Sequence, residues 1–102
     1  MTKAAITRRV KEIIERHKVD KCHLTEEEQN FMMEEVFSHW ADGDAKQYIA
    51  ENGGLEYMCV TLHYHEQTHS SHYAVALKLK GKDEPEVWSY TKCIRNRPFS
   101  IV

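Results

Sequence analysis

Hydrophobic residues in the first half of the chain recur at helical spacing. From Lys3 to His17 they form one stripe, with charged residues on the other faces, which predicts an amphipathic helix; the stripe consists of Ile6, Val10, Ile13, Ile14 and His17. A second helix is expected to begin at Thr25, because Glu28 follows three residues later and completes a capping box. Its broad apolar surface indicates core packing and comprises Phe31, Met32, Met33, Val36, Phe37 and Trp40.

A short third helix precedes a change of period. Asp44 can cap a helix from Ala45 to Glu51, which the glycines after Asn52 would end. From Leu55 onward apolar and polar residues alternate, which predicts strands. The inward positions of the first strand are Met58, Val60, Leu62 and Tyr64, and those of the second are Tyr73, Val75, Leu77 and Leu79.

These elements predict a single α+β domain over residues 1–102. Two main helices plus a short helix would pack on one face of a small antiparallel sheet with a central β-hairpin. We expect Leu62, Val75 and Leu77 to be buried together against Ile13 and Phe31. A third strand, from Glu86 to Ser89, would follow a turn that ends at Pro85.

Charge and cysteine content narrow the class of protein. The net charge is −2, which excludes a global polyelectrolyte attraction. The charges are unevenly distributed along the chain: the net charge is +4 for residues 1–23, −8 for residues 24–56 and +2 for residues 57–102. This distribution indicates either surfaces of opposite charge or an ordinary solvated surface. The odd cysteine count without a Cys-x-x-Cys motif, and the lack of a long apolar run, favour a cytoplasmic protein with reduced thiols and no membrane association.

Four histidines form the most visible candidate metal site. They fall within ten residues around the predicted hairpin turn: His63, His65, His69 and His72. Zinc requires three or four ligands in tetrahedral reach, and no Cys-x-x-Cys or His-Glu-x-x-His pattern accompanies these residues. A polar hairpin tip is the favoured interpretation, a metal-dependent enzyme is the third-ranked function, and no cofactor is expected.

The stretch Val87–Ile94, with the sequence Val-Trp-Ser-Tyr-Thr-Lys-Cys-Ile, is the densest local signature. Ser89 can cap a helical turn that would direct Tyr90 and Cys93 to the core and leave nearby cations in solvent. Cys93 is interpreted as a small buried residue, with a nucleophile as the alternative. Nucleic-acid-binding sites typically combine Lys or Arg side chains that contact phosphates with exposed aromatic rings that stack on unpaired bases. The candidate residues here are Lys80, Tyr90, Lys92, Arg95 and Arg97.

The same stretch resembles the end of the DCL-type domain family, also called DUF3223. The resemblance rests on Ser-Tyr-x-Lys-Cys-Ile after Trp88, on the glutamate-rich helix start at Thr25 and on His39 near the end of that helix. It spans roughly residues 3–96 and suggests a small stand-alone bacterial or phage member. The resemblance implies an accessory domain that acts near the machinery of RNA processing or transcription and that has no established catalytic activity.

The leading hypothesis is therefore a non-enzymatic RNA-binding accessory module. The alternative is a small bacterial or phage protein-interaction module that docks on a host enzyme and modulates it. The acidic middle segment and the histidine-rich hairpin suit that alternative.

Overall fold

The computed structural model describes residues 2–40 and 43–97, with the backbone but not the side chain of His65. The described chain confirms the predicted α+β fold. Its helices are α1 (Lys3–Asp20), α2 (Glu26–Phe31), α3 (Ala45–Glu51) and α4 (Tyr90–Asn96). Its strands are β1 (Leu55–His65), β2 (Ser70–Leu79) and β3 (Glu86–Val87). No helix in this part of the chain is long and apolar enough to cross a membrane.

Helix α1 forms as its periodicity predicts. The Thr2 hydroxyl accepts a hydrogen bond from the Ala5 N–H at 3.1 Å and so satisfies a free backbone donor of the first turn. The helix ends at Asp20 and is capped by Lys21, which adopts a left-handed backbone conformation with φ of 58°. All five residues of the predicted stripe are buried, including His17.

The helix after Thr25 changes its winding along its length. The predicted capping box is present, because Thr25 accepts from the Glu28 N–H and Glu28 accepts from the Thr25 N–H. Helix α2 then continues as a π-helical turn (Met32–Val36) and a 3-10 turn (Phe37–His39). The Phe37 N–H donates to the carbonyl of Met32, five residues back.

Glu28 and His17 form a buried polar contact between α1 and α2. Their side chains are 3% and 1% exposed, and Nε2 of His17 lies 2.8 Å from Oε1 of Glu28. The other ring nitrogen lies 2.8 Å from the Cys22 carbonyl. Burial alone raises the pKa of Glu28, but hydrogen bonds from Thr25 and His17 outweigh it, so this pKa lies below its usual value. The periodic pattern had placed His17 only as a member of an apolar stripe.

The sheet has the order β1-β2-β3, with antiparallel pairing throughout. The register places Met58 opposite Leu77 and Val60 opposite Val75, so these four residues share one face, as predicted. Ala74 and Ala76, predicted on the outer face, are also buried. Met58, Val75 and Leu77 are fully buried. The third strand is shorter than predicted, because only Glu86 and Val87 pair with β2 before the chain turns into α4.

The prediction that Leu62 is buried is wrong. Leu62 is 58% exposed, and its neighbours on the same sheet face, Tyr64 and Tyr73, are 53% and 40% exposed. The strands are ten and eleven residues long, so the hairpin extends beyond the helices that cover its base. Phe31 is only partly buried against the core.

Candidate nucleic-acid interface

An open cleft of about 390 Å³ lies where the signature stretch meets Trp40, the residue that follows the 3-10 turn. Most of the wall comes from the signature stretch. Trp40 after the 3-10 turn, Tyr48 of α3 and Glu86 of β3 provide the rest. The lining residues are Trp40, Tyr48, Glu86, Val87, Trp88, Ser89, Lys92 and Cys93. Ligand pockets in proteins commonly have volumes of about 300–1,000 Å³, and this cleft lies at the lower end of that range.

Aromatic rings from three separate elements form the apolar part of the cleft. Trp40 stacks on Trp88, with ring centroids 4.4 Å apart and planes 8° from parallel. Phe37 meets Trp88 edge-on at 5.3 Å, and Tyr48 lies 5.1 Å from Trp40. Trp88 is only 5% exposed, so Trp40 and Tyr48 present the accessible ring surface.

A hydrogen-bonded triad fixes one side of the cleft. The Tyr48 hydroxyl donates to Glu86 at 2.8 Å, and Lys82 Nζ lies 2.5 Å from both the Tyr48 hydroxyl and Glu86 Oε1. Contact with Glu86 and Tyr48 raises the pKa of Lys82. Partial burial raises the pKa of Glu86, but hydrogen bonds from Lys82 and Tyr48 outweigh it and hold that pKa low. The Lys82 charge is therefore already balanced by Glu86.

Helix α4 places two of the predicted cations in solvent. Ser89 caps the helix, since its hydroxyl accepts from the Lys92 N–H at 3.3 Å, as predicted. Lys92 is exposed and lines the cleft, and Arg95 is exposed one turn further along. Lys3 donates to the Arg95 carbonyl at 3.3 Å, which brings the basic start of α1 beside the end of α4.

The remaining predicted residues lie away from the cleft lining. The guanidinium of Arg97 donates to the Glu35 carbonyl at 2.8 Å and pairs with its carboxylate at 3.0 Å, so it fastens α4 to the π-helical turn. Tyr90 is half-buried against the core. Lys80 is exposed at the end of β2, where its N–H donates to the Gly54 carbonyl.

The histidines of the hairpin are spread over the two strands and the turn. His63 and His72 lie opposite each other, with ring centroids 5.8 Å apart. His69 Nδ1 lies 3.3 Å from the Tyr64 hydroxyl, and the side chain of His65 is outside the described residues. Within the described chain, no three His, Cys, Asp or Glu side chains are grouped so that they could hold a metal ion.

The cysteines lie in three different environments. Cys93 is 1% exposed beneath the cleft, which agrees with its prediction as a small buried residue. Burial raises the pKa of the Cys59 thiol, which disfavours the thiolate. Cys22 is exposed at the end of α1.

Sequence reasoning missed the contribution of Trp40, Tyr48 and Glu86 to this site. Trp40 was assigned to the core, and Tyr48 and Glu86 lie 38 residues apart along the chain. Trp40 and Tyr48 lie far from the signature stretch along the chain, so no local sequence signal could have identified them. No protein-family model, curated protein or solved structure matches this chain.

Proposed function

We propose that this protein is a non-enzymatic module that binds single-stranded RNA and acts near RNA processing or transcription. The observation that carries the proposal is the cleft formed by the signature stretch, which combines accessible rings with an exposed cation. Trp40 and Tyr48 would stack on an unpaired base, since aromatic stacking tolerates any base. Lys92, on the same lining, would face the adjoining phosphate.

The phosphate contacts would continue along α4. Lys92 and Arg95 are three residues apart on one helix, so their side chains are neighbours on its surface. Arg97 and Lys82 are engaged with Glu35 and Glu86, which makes them positioning residues in the proposal.

The test is a titration of labelled single-stranded RNA at two salt concentrations. The wild type should bind more weakly at the higher salt, because phosphate contacts release counterions. The double variant Lys92→Glu with Arg95→Glu should bind at least about tenfold more weakly, while its thermal unfolding stays close to wild type, because exposed charges contribute little to stability.

A matched control separates a local site from a general charge effect. Lys21→Glu with Lys46→Glu makes the same change in net charge at exposed positions outside the cleft lining. This control should retain most of the affinity. If wild type shows no RNA binding at low salt, the proposal fails; equal loss in both double variants would contradict the assigned site.

Protein docking is the second candidate, and one observation favours it. Leu62, Tyr64 and Tyr73 present an exposed apolar strip on the projecting hairpin. A module that docks on an enzyme would use such a strip. In a pull-down from cells, partners retained after nuclease treatment and lost on Leu62→Lys would support this candidate over RNA binding.

A further inference from the structure

Residues 57–64 of strand β1 form an edge that carries no charged residue, glycine or proline. Residues 57–64 read Tyr-Met-Cys-Val-Thr-Leu-His-Tyr and contain no Lys, Arg, Asp, Glu, Gly or Pro. Natural proteins normally guard such edges with charges, proline, bulges or short strands, because unpaired backbone groups recruit another strand. The ladder with β2 is regular from residue 57 to 65, so no bulge interrupts this stretch.

The structure shows which backbone groups of β1 point away from β2. The Leu24 N–H donates to the Met58 carbonyl at 2.9 Å, so Met58 directs its backbone groups to the outer edge. In an antiparallel ladder this direction alternates along the strand. Val60, Leu62 and Tyr64 therefore direct their N–H and C=O groups outward, and no described residue pairs with them there.

We propose that two copies of this chain dimerise by antiparallel pairing of their β1 edges, with the two-fold axis at Leu62. Leu62 would face Leu62 of the second copy, and Val60 would face Tyr64 of the second copy. Three such residue pairs would exchange about six backbone hydrogen bonds and create a continuous six-stranded sheet. The proposal is independent of RNA binding.

The length of the free edge supports this axis. Leu24 occupies the edge at Met58, and the hairpin turn begins after His65. The free edge therefore covers residues 59–65, and its midpoint is Leu62. A two-fold axis at Leu62 is the register that uses the whole free length of both strands.

The charge of the edge favours a second copy as the occupant. A two-fold pairing places identical strands side by side, and like charges in opposite positions would destabilise it. The paired residues Val60, Leu62 and Tyr64 carry no charge, and Thr61 would face His63 of the second copy rather than another histidine. The apolar side chains, which each copy leaves exposed, would pack against each other across the junction.

The first test measures mass against concentration by light scattering. The wild type should show a monomer–dimer equilibrium. Leu62→Lys should raise the dissociation constant of the dimer at least about tenfold, because a loss of about 1.4 kcal/mol in binding free energy is enough for that factor. Tyr73→Lys is the matched control, because Tyr73 lies opposite Leu62 on the other margin of the hairpin. Circular dichroism should show that both variants fold.

A second test probes the register directly. Residues that exchange both hydrogen bonds in an antiparallel pair have Cα atoms about 5.5 Å apart, which suits a disulfide. Leu62→Cys in a Cys22→Ser background should therefore cross-link two chains through position 62 on mild oxidation. Tyr64→Cys should not cross-link to itself, because its opposite residue is Val60 of the second copy.

Each outcome decides for or against the proposal. The proposal is supported if Leu62→Lys weakens dimerisation, Tyr73→Lys does not, and the disulfide is mapped to position 62. The proposal is overturned if the wild type stays monomeric up to its solubility limit. It is also overturned if Leu62→Lys does not change dimerisation, or if both lysine variants weaken dimerisation equally. A cross-link at position 64 and none at 62 also overturns it.

Discussion

Removal of the Glu28 carboxylate should destabilise the protein more than its place on a surface helix suggests. Its side chain accepts hydrogen bonds from Nε2 of His17 and from the Thr25 N–H, both at 2.8 Å, and is 3% exposed. Glu28→Ala would leave His17 and the first turn of α2 without their acceptor. This one side chain therefore supports both the cap of α2 and the contact between the two helices.

The expected magnitude follows from burial. A buried donor that loses its acceptor costs about 1–3 kcal/mol, and Glu28→Ala leaves two such donors, His17 and the Thr25 N–H. Because about 1 kcal/mol lowers the Tm of a small domain by roughly 4–8 °C, Glu28→Ala should lower the Tm by roughly 8 °C or more. Glu28→Gln retains a neutral acceptor and should cost about 1–3 kcal/mol.

The effect should also depend on pH in a defined direction. The pKa of Glu28 is lower in the folded protein than its usual value, so the carboxylate stabilises the fold at neutral pH. This stabilisation is lost as the pH falls through that lowered pKa, below the ordinary glutamate value of about 4.3. The difference between wild type and Glu28→Gln should therefore be largest at neutral pH and should shrink in acid.

Urea unfolding at several pH values measures these differences. Glu27→Gln is the control, because Glu27 is an exposed residue in the same first turn and should change stability by less than about 1 kcal/mol. The reasoning would be refuted if Glu28→Ala cost less than about 1 kcal/mol, or if the Glu28→Gln difference were the same at every pH.

Two further variants test the core and the turn. Leu77→Ala should lower the free energy of unfolding by about 2–5 kcal/mol because it leaves a cavity, whereas Leu62→Ala should cost below about 1 kcal/mol at its exposed position on the same sheet face. Equal losses in urea unfolding would contradict this difference in burial. Gly81→Ala should also lower the Tm, because a Cβ there would lie 2.6 Å from the Asn52 carbonyl oxygen, which accepts from the Gly81 N–H. A Tm equal to wild type would show that this turn adjusts without cost.

Local chemistry was predictable from the sequence, whereas contacts between distant segments were not. The capping box of Thr25 and the cap at Ser89 each depend on residues three positions apart, so spacing alone indicates them. The contact between His17 and Glu28 depends on the turn between two helices, which spacing does not describe. Alternation correctly assigned Leu62 to a sheet face, but it contains no information on how far the helices extend along that face.

The candidate site was only partly predictable for the same reason. Lys92 and Cys93 belong to one short stretch, and their capping turn was visible in the sequence. Trp40 and Tyr48 reach the cleft from other elements, and only tertiary packing brings them to Trp88. The predicted cation set divides in the structure, since Arg97 pairs with Glu35 while Lys92 reaches the cleft. Whether these residues bind RNA stays a prediction.

The π-helical turn at Met32–Val36 gives the segment before Trp40 room for a change in chain length. A π-helical turn holds about one residue more than an α-helical turn, because its backbone N–H groups bond five residues back rather than four. Deletion of a single residue within this turn, with a return to α-helical winding, would therefore leave the residues after it on the same face and Trp40 stacked on Trp88. The same deletion in a regular α-helix would rotate everything after it by about 100°, so the site should tolerate the loss of a residue within this turn better than elsewhere along the helical segment.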